Sequence, residues 1–280
     1  MRSFDYIESG KTLLTPHTTS LLAAIHEAKG RQSIQTTIRP DILGTLVAVA
    51  RIQSTDASNR IEGISTSDSR LNDLVSEKVT PRNRNEEEIA GYRDALSVIH
   101  ESHDYIPITP NVILQLHRDL FRHTPLTFAG HFKDSDNVII ERDAHGTSTV
   151  RFAPPSALVT PELIERACSA YTQAIRDGHT DPLLAIAMFI LDFTCIHPFN
   201  DGNGRMSRLL TLLMLCRNGY MVGKYISIEH LIEQSKSTYY EALAASTQGW
   251  DDNANDYAPF TNYLLGIIPV SYTHLTLPTI

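Results

Sequence analysis

The chain lacks several features that would place it in a class at once. Its 280 residues hold only three cysteines, Cys168, Cys195 and Cys216, which form neither a CxxC pair nor an even framework. That excludes a disulfide scaffold and reads as buried thiols in a reducing cytosol. Long apolar runs are missing too. The most apolar stretch, Leu183–Ile196, is about 14 residues long and Asp192 interrupts it, so it is too short to span a bilayer and reads as a central core helix. Positive charge is not in excess. A formal net charge of −8 argues against a general affinity for nucleic acid or anionic membrane, although local basic sites remain compatible with it. Met1–Gly10 carries Arg, Asp and Glu with no apolar core, so no signal peptide is expected and the location expected is cytoplasmic. No internal repeat or low-complexity tract occurs. What remains is ordinary: 42% hydrophobic and 20% charged residues suit a globular protein able to bury a core, as one large domain or two smaller ones.

Most periodic segments have helical spacing, and many open on a proline or aspartate. Pro40-Asp41 precedes Ile42–Ile52, and Glu86–His100 repeats apolar residues at Ile89, Tyr92, Ala95, Leu96 and Ile99. Thr109-Pro110 reads as an N-cap followed by proline at the first helical position, and Thr160-Pro161 and Asp181-Pro182 repeat the device. Asp177-Gly178 and Asn218-Gly219 read as stops. One region departs from this pattern. Between Gly130 and Pro155, Val138-Ile139-Ile140 and the alternating Val150 and Phe152 flank a polar turn through Asp143, Gly146, Thr147 and Ser148, which predicts a β-hairpin. The fold class expected is therefore mainly α with one short hairpin.

Residues 197–208, HPFNDGNGRMSR, concentrate chemistry between two apolar helices. Asp201-Gly202-Asn203-Gly204 lets the backbone turn sharply, and successive amides at a helix N-terminus make a positive concavity suited to phosphate. Arg205 and Arg208 are three apart and project from one face, each able to grip phosphate oxygens bidentately. Asp201 offers a hard oxygen ligand for a Mg²⁺–polyphosphate. His197 is the group able to take a proton from a hydroxyl near neutral pH, and Phe199 anchors the loop in the core. The ending is not that of a Walker A loop, since Lys-Ser/Thr is absent.

This segment resembles the Fic motif, HxFx(D/E)GNGRxxR, at every defined position, and the similarity extends over most of residues 40–265. The resemblance implies a protein adenylyltransferase that uses ATP and Mg²⁺ to place AMP on a Ser, Thr or Tyr hydroxyl of a target protein, which could be the chain itself. It implies His197 as general base and Asp201 as the Mg²⁺ ligand. It also implies Gly202–Gly204, with Asn200 and Asn203, as the α- and β-phosphate cradle, and Arg205 and Arg208 as holders of the β- and γ-phosphates. The hairpin is similar to the family's flap, with Asn137, Val138, Ile139 and Ile140 as its nucleotide-facing edge; Lys133 stands where many relatives carry arginine. Tyr239 and Tyr240 lie in a segment similar to the family's helix beside the adenine, against the alternative of one core and one surface tyrosine.

Ser58-Asn59-Arg60-Ile61-Glu62-Gly63 fits the family's inhibitory pattern (S/T)xxxE(G/N). Ser58 and Glu62 share a helical face, Gly63 can end the helix, and the resemblance implies that Glu62 pairs with Arg208 and denies it to the γ-phosphate. The organisation expected is an N-terminal helical region over 1–105, a catalytic core over 106–250, the start of a further module over 251–269, and a non-native tail over 270–280. A homodimer is compatible with this reading. Alternatives are removal of AMP with Glu62 orienting a water, transfer of another phosphate-containing group, and a nucleotide-sensing regulator with negligible turnover.

Overall fold

Helix start signals in the sequence set most of the architecture of the computed structural model, which describes residues 2–38, 40–142 and 148–276. In chain order the helices before the strands are α1 (Tyr6–Thr12), α2 (Pro16–Ile38), α3 (Pro40–Ile61), α4 (Asp68–Val75), α5 (Arg84–Ser102) and α6 (Pro110–Leu120). Strands β1 (Ile139–Arg142) and β2 (Ser148–Phe152) follow, then α7 (Thr160–Asp177), α8 (Pro182–Ile196), α9 (Asn203–Arg217), α10 (Val222–Tyr225), α11 (Ile228–Gln234), α12 (Lys236–Thr247) and α13 (Ala258–Thr276). Thr109 and Asp181 cap α6 and α8 with their side chains, accepting from the amides of Val112 and Leu183, as short oxygen-bearing side chains do at exposed helix starts. The Thr160-Pro161 start differs: Val159 is the cap residue, and the buried Thr160 donates its hydroxyl to the Ser156 carbonyl.

Helix α8 is buried on every face except at Pro182 and Thr194, and α9 is buried from Arg205 to Cys216. A helix that is apolar all round must lie inside the molecule. Helices α7, α9, α12 and α13 pack around α8, while α5 and α3 close the side of α9. All three cysteines are buried. The two strands pair antiparallel, Ile139 opposite Phe152 and Arg142 opposite Ser148, with an irregularity after Ile139. The expected turn residues Asp143, Gly146 and Thr147 lie outside the described residues, as does the side chain of Ile140. Val270–Thr276 continue α13, where Ser271 and Tyr272 are buried, and 277–280 lie outside the described residues. No helix among the described residues is long and apolar enough to cross a membrane.

The single charge in α8 is matched from a distance in sequence. Asp192 is fully buried; its carboxylate accepts from Arg2 at 3.0 Å, from the Trp250 indole at 2.6 Å, and from the hydroxyls of Tyr6 and Tyr257 at 2.8 Å each. This ties the N-terminal residues and the segment before α13 to the underside of α8. Arg2→Ala would strand the carboxylate with neutral donors alone. A loss of about 2–3 kcal/mol is expected, below the usual cost of an unpaired buried charge because those donors remain. A thermal melt unchanged from wild type would show that Arg2 carries none of this load.

Candidate active site

The loop from His197 to Gly202 joins the two most buried helices, and its shape follows from its ends. His197 closes α8 in the left-handed region, at φ 49°, with its amide bonded to the Phe193 carbonyl at 3.0 Å. A non-glycine residue there costs on the order of 1 kcal/mol, so the position keeps histidine for its side chain and not for its backbone. Gly202 opens α9 at φ 83°, and a Cβ there would lie 2.8 Å from the Phe121 ring; both conformation and space demand glycine.

Buried polar side chains then lock the loop. Asn203 accepts from the Phe199 amide at 2.9 Å and donates to its carbonyl at 2.8 Å. Phe199 is fully buried and stacks on His117, 3.7 Å between ring centres and nearly parallel. The Gly130 amide donates to His117 Nδ1 at 3.0 Å, so Nε2 carries the proton and donates to the Asp201 carbonyl at 3.1 Å. Burial pushes the His117 pKa down to about 4, which keeps the ring neutral and this pairing intact. Lys133, also buried, grips both sides of His197: its Nζ donates to the Ile196 carbonyl at 3.1 Å and its amide to the Pro198 carbonyl at 2.8 Å.

A cavity of about 230 Å³ opens beside the loop. One wall carries His197, Asn203, Gly204, Ser207, Arg208 and Glu62; the other is apolar, from Ile139, Phe152, Tyr240, Leu243 and the aliphatic parts of Ala244 and Thr247. Burial pushes the His197 pKa down to about 4, helped by the nearby Lys133 charge and opposed by a backbone contact with Thr194 and by Glu62. The imidazole is therefore neutral at physiological pH and free to accept a proton.

Arg208 is buried and fully engaged. Its Nε donates to Ser58 Oγ at 2.8 Å and one terminal nitrogen donates to the Ser58 carbonyl at 2.9 Å and to Glu62 Oε1 at 2.7 Å. Burial opposes the charge on Glu62, yet the Arg208 guanidinium wins and holds the carboxyl below its ordinary range. The same carboxylate sits over the start of α9, where a Cβ on Gly204 would come within 2.1 Å of Oε1. Glu62 thus occupies the place at which a helix N-terminus receives an anion. Gly63, at φ 79°, turns the chain away just after α3.

The other predicted residues separate into two groups. Arg205 does not line the cavity. It is 1% exposed, ion-paired with Glu88 at 2.6 Å, and lies over the Phe121 ring. Asp201 stands at the loop's outer edge, 46% exposed at its side chain; Oδ1 accepts from the Gly202 amide at 2.6 Å, and Oδ2 is 3.6 Å from Arg84. Asn200 is exposed and donates to Asp134 at 3.2 Å. Of the flap edge, Ile139 lines the cavity, Val138 is 52% exposed, and Asn137 donates to the Phe199 carbonyl at 3.3 Å. Tyr239 is buried with the Arg208 charge close by, whereas Tyr240 is half-buried; both line the cavity. His117 and Glu88 carry no signal in the sequence as site residues, since a lone polar residue on an apolar face has no pattern, whereas Lys133 and Phe152 are legible there only through the resemblance of the hairpin region to the flap.

Among the described residues no group of three or more His, Cys, Asp and Glu could cage a metal. The partly exposed carboxylate of Asp201, next to the Gly202 amide, is compatible with Mg²⁺ in another way, since Mg²⁺ is commonly held by one carboxylate together with substrate phosphates.

With this geometry in view, residues 107–215 match the model of the Fic/DOC family. The chain is 26% identical over 189 residues to the protein adenylyltransferase fic-1 of Caenorhabditis elegans, a match covering 65% of this chain and 32% of that protein. It is 37% identical over 90 residues to a Fido domain-containing protein of Dictyostelium discoideum, covering 31% and 58%. The chain thus spans about a third of the first relative's length and under two thirds of the second's. The crystal structure of a Fic family protein from Desulfovibrio desulfuricans superposes with a TM-score of 0.76 at 24% identity, over 94% of this chain and 74% of that one.

Proposed function

We propose, from the match of residues 107–215 to the Fic/DOC family model, that the chain is a protein adenylyltransferase held inactive by Glu62. The observation that carries this reading is one shared cavity wall, on which a neutral His197 and Arg208 flank the open start of α9 and the Glu62 carboxylate fills the anion position. ATP is the substrate, its base against the apolar wall by Tyr240 and its phosphates along the Gly202–Gly204 amides. His197 takes the proton of a target Ser, Thr or Tyr hydroxyl as that oxygen bonds to the α-phosphorus. The bond from the α-phosphorus to the bridging oxygen breaks, pyrophosphate leaves, and AMP remains on the protein. Mg²⁺ would supply positive charge to the phosphates and would be held by Asp201. Residues 106–250 are the proposed catalytic core and 1–105 the regulatory region, in a cytoplasmic protein. The flap edge Asn137–Ile140 would steady the target segment by strand addition. Arg205 braces the loop from below through Glu88 and Asp201, and it reaches a phosphate only if the Glu88 pair opens.

The test is the intact mass of the Glu62→Gly protein after ATP and Mg²⁺. One or more added AMP groups, with incorporation of an α-phosphorus label, is the expected result. Tight nucleotide binding without label would favour a nucleotide sensor instead. Because Glu62 and His197 line the same cavity, removal of AMP is a second reading, and the release of AMP from a pre-modified protein by wild type distinguishes it.

Two further outcomes are expected. Asp201→Ala weakens Mg²⁺–ATP much more than metal-free ATP in titrations; equal losses in both would remove Asp201 as the ligand. For pH, a base whose pKa lies at about 4 instead of the usual 6.5 is already deprotonated across the neutral range. The kcat/KM of the Glu62→Gly protein should stay flat from pH 8 down to about 5 and fall only below that. A fall centred near 6.5 would contradict the depressed value.

A further inference from the structure

A second buried carboxylate is fastened to the same face of α3 that holds Arg208. Glu229, in the first turn of α11, is 1% exposed. Three hydroxyls meet its charge: Ser54 donates to Oε2 at 2.7 Å, Ser227 to the same oxygen at 3.3 Å, and Tyr92 to Oε1 at 3.1 Å. Ser58 Oγ, one turn along α3 from Ser54, accepts from Arg208 Nε at 2.8 Å. Ser54 and Ser58 thus tie the Glu229 carboxylate and the Arg208 guanidinium to the same stretch of α3, a buried polar arrangement whose charges polarise the hydrogen bonds between them. Ser54, Ser58, Tyr92 and Glu229 are all essentially inaccessible to water, so little solvent screens it.

The spacing along α3 adds a second observation. Ser54, Ser58 and Glu62 are four apart and lie on one helical face. The first is fastened to Glu229, and the second and third to Arg208. Of these three α3 residues Glu62 lines the cavity and Ser54 and Ser58 do not. We propose that Glu229, acting through Tyr92 and Ser54, is a positioning element that holds α3 and the Arg208 guanidinium in the paired arrangement and so sets the strength of inhibition. The proposal rests on the reading that the Glu62–Arg208 pair blocks the site. It assigns the control of that pair to residues outside both the inhibitory motif and the catalytic loop. Loosening the strut frees α3 to withdraw and lets Arg208 turn toward a phosphate. A network that merely supports the fold has the opposite consequence, since its loss can only lower activity.

The experiment compares Tyr92→Phe and Ser54→Ala, each alone and combined with Glu62→Gly, using initial rates of auto-modification from labelled ATP. Titration with ATP, melting curves and hydrogen exchange over residues 54–63 accompany the rates. Each single variant should raise the rate and tighten ATP binding by a few-fold to about tenfold, the scale of one ordinary hydrogen bond. Exchange over 54–63 should quicken. Added to Glu62→Gly, neither change should raise the rate further, because the element they steady has already lost its blocking group. If Glu62→Gly activates while both strut variants run at or below the wild-type rate, the strut is overturned and the autoinhibition reading stands. If Glu62→Gly itself leaves rate and ATP affinity unchanged, the underlying reading falls and the strut falls with it. Should Tyr92→Phe melt too low to assay, Ser54→Ala, which deletes one hydroxyl from a helix that tolerates alanine, decides alone.

Discussion

His197→Ala, made in the Glu62→Gly background so that there is a rate to lose, should lower AMP transfer by about 10²–10⁴-fold, the contribution of a positioned general base. The Kd for ATP should stay within about threefold of the parent, because the imidazole serves the incoming hydroxyl and the nucleotide is held by other groups. The geometry sharpens the expectation. His197 sits in the left-handed region at φ 49°, where alanine is somewhat less suited than histidine and glycine is better than either. Neither His197→Ala nor His197→Gly should therefore unfold the loop, which Asn203, Lys133 and the Phe199–His117 stack hold independently. Both variants should be inactive, with His197→Gly melting at or above the parent temperature. A variant that still labels at the parent's rate removes His197 from the mechanism. One that loses ATP binding along with transfer makes it a nucleotide contact instead.

How much of this was legible in the sequence varied with the kind of interaction. Local signals read well. Asp181-Pro182 and Thr109-Pro110 mark true helix starts because capping depends only on residues a few positions apart. The loop at 197–208 was legible because its glycines, amides and charges are contiguous. Tertiary rescue of polar residues was not. The apolar periodicity of α3 covers Ile42–Ile52, and the helical face expected at Ser58 and Glu62 belongs to the same helix, which runs to Ile61. Its second half carries Ser54, Thr55, Ser58 and Asn59, which look like a solvated face but are fully buried. The partners of Ser54 and Ser58, Glu229 and Arg208, lie more than a hundred residues away, and no periodicity can announce them. His117 and Glu88 escaped for the same reason, each being a single polar residue whose meaning is its partner. Even Arg205, conspicuous in sequence, is directed by Glu88 away from the cavity, an outcome that helical spacing to Arg208 did not contain.

Glu62→Gly should raise auto-modification well above wild type, and the size of the rise follows from what the carboxylate does. It holds an Arg208 nitrogen at 2.7 Å and lies against Gly204 at the start of α9, so it takes both the cation and the amide site that a phosphate needs. A charge-assisted hydrogen bond is worth about 1.5–3 kcal/mol, so freeing Arg208 alone recovers roughly tenfold to a hundredfold. Opening the helix terminus lets the α-phosphate settle in line with the hydroxyl, which multiplies the gain. The cavity should also grow, since about 230 Å³ with Glu62 in place falls short of the roughly 300 Å³ at which small-molecule sites begin. Because Glu62 and Arg208 act as a pair, their effects cannot add. Arg208→Ala alone should be poorly active, having lost its phosphate contact and stranded Ser58 and Tyr239 around an empty position. Adding Glu62→Gly to it should restore little. A Glu62 that only solvates the end of α3 predicts a different square, with the single substitution silent and Arg208→Ala equally damaging in both backgrounds. Initial rates of the four proteins with labelled ATP separate the two. Equal rates for wild type and Glu62→Gly would end the case for inhibition and leave a transferase without a switch.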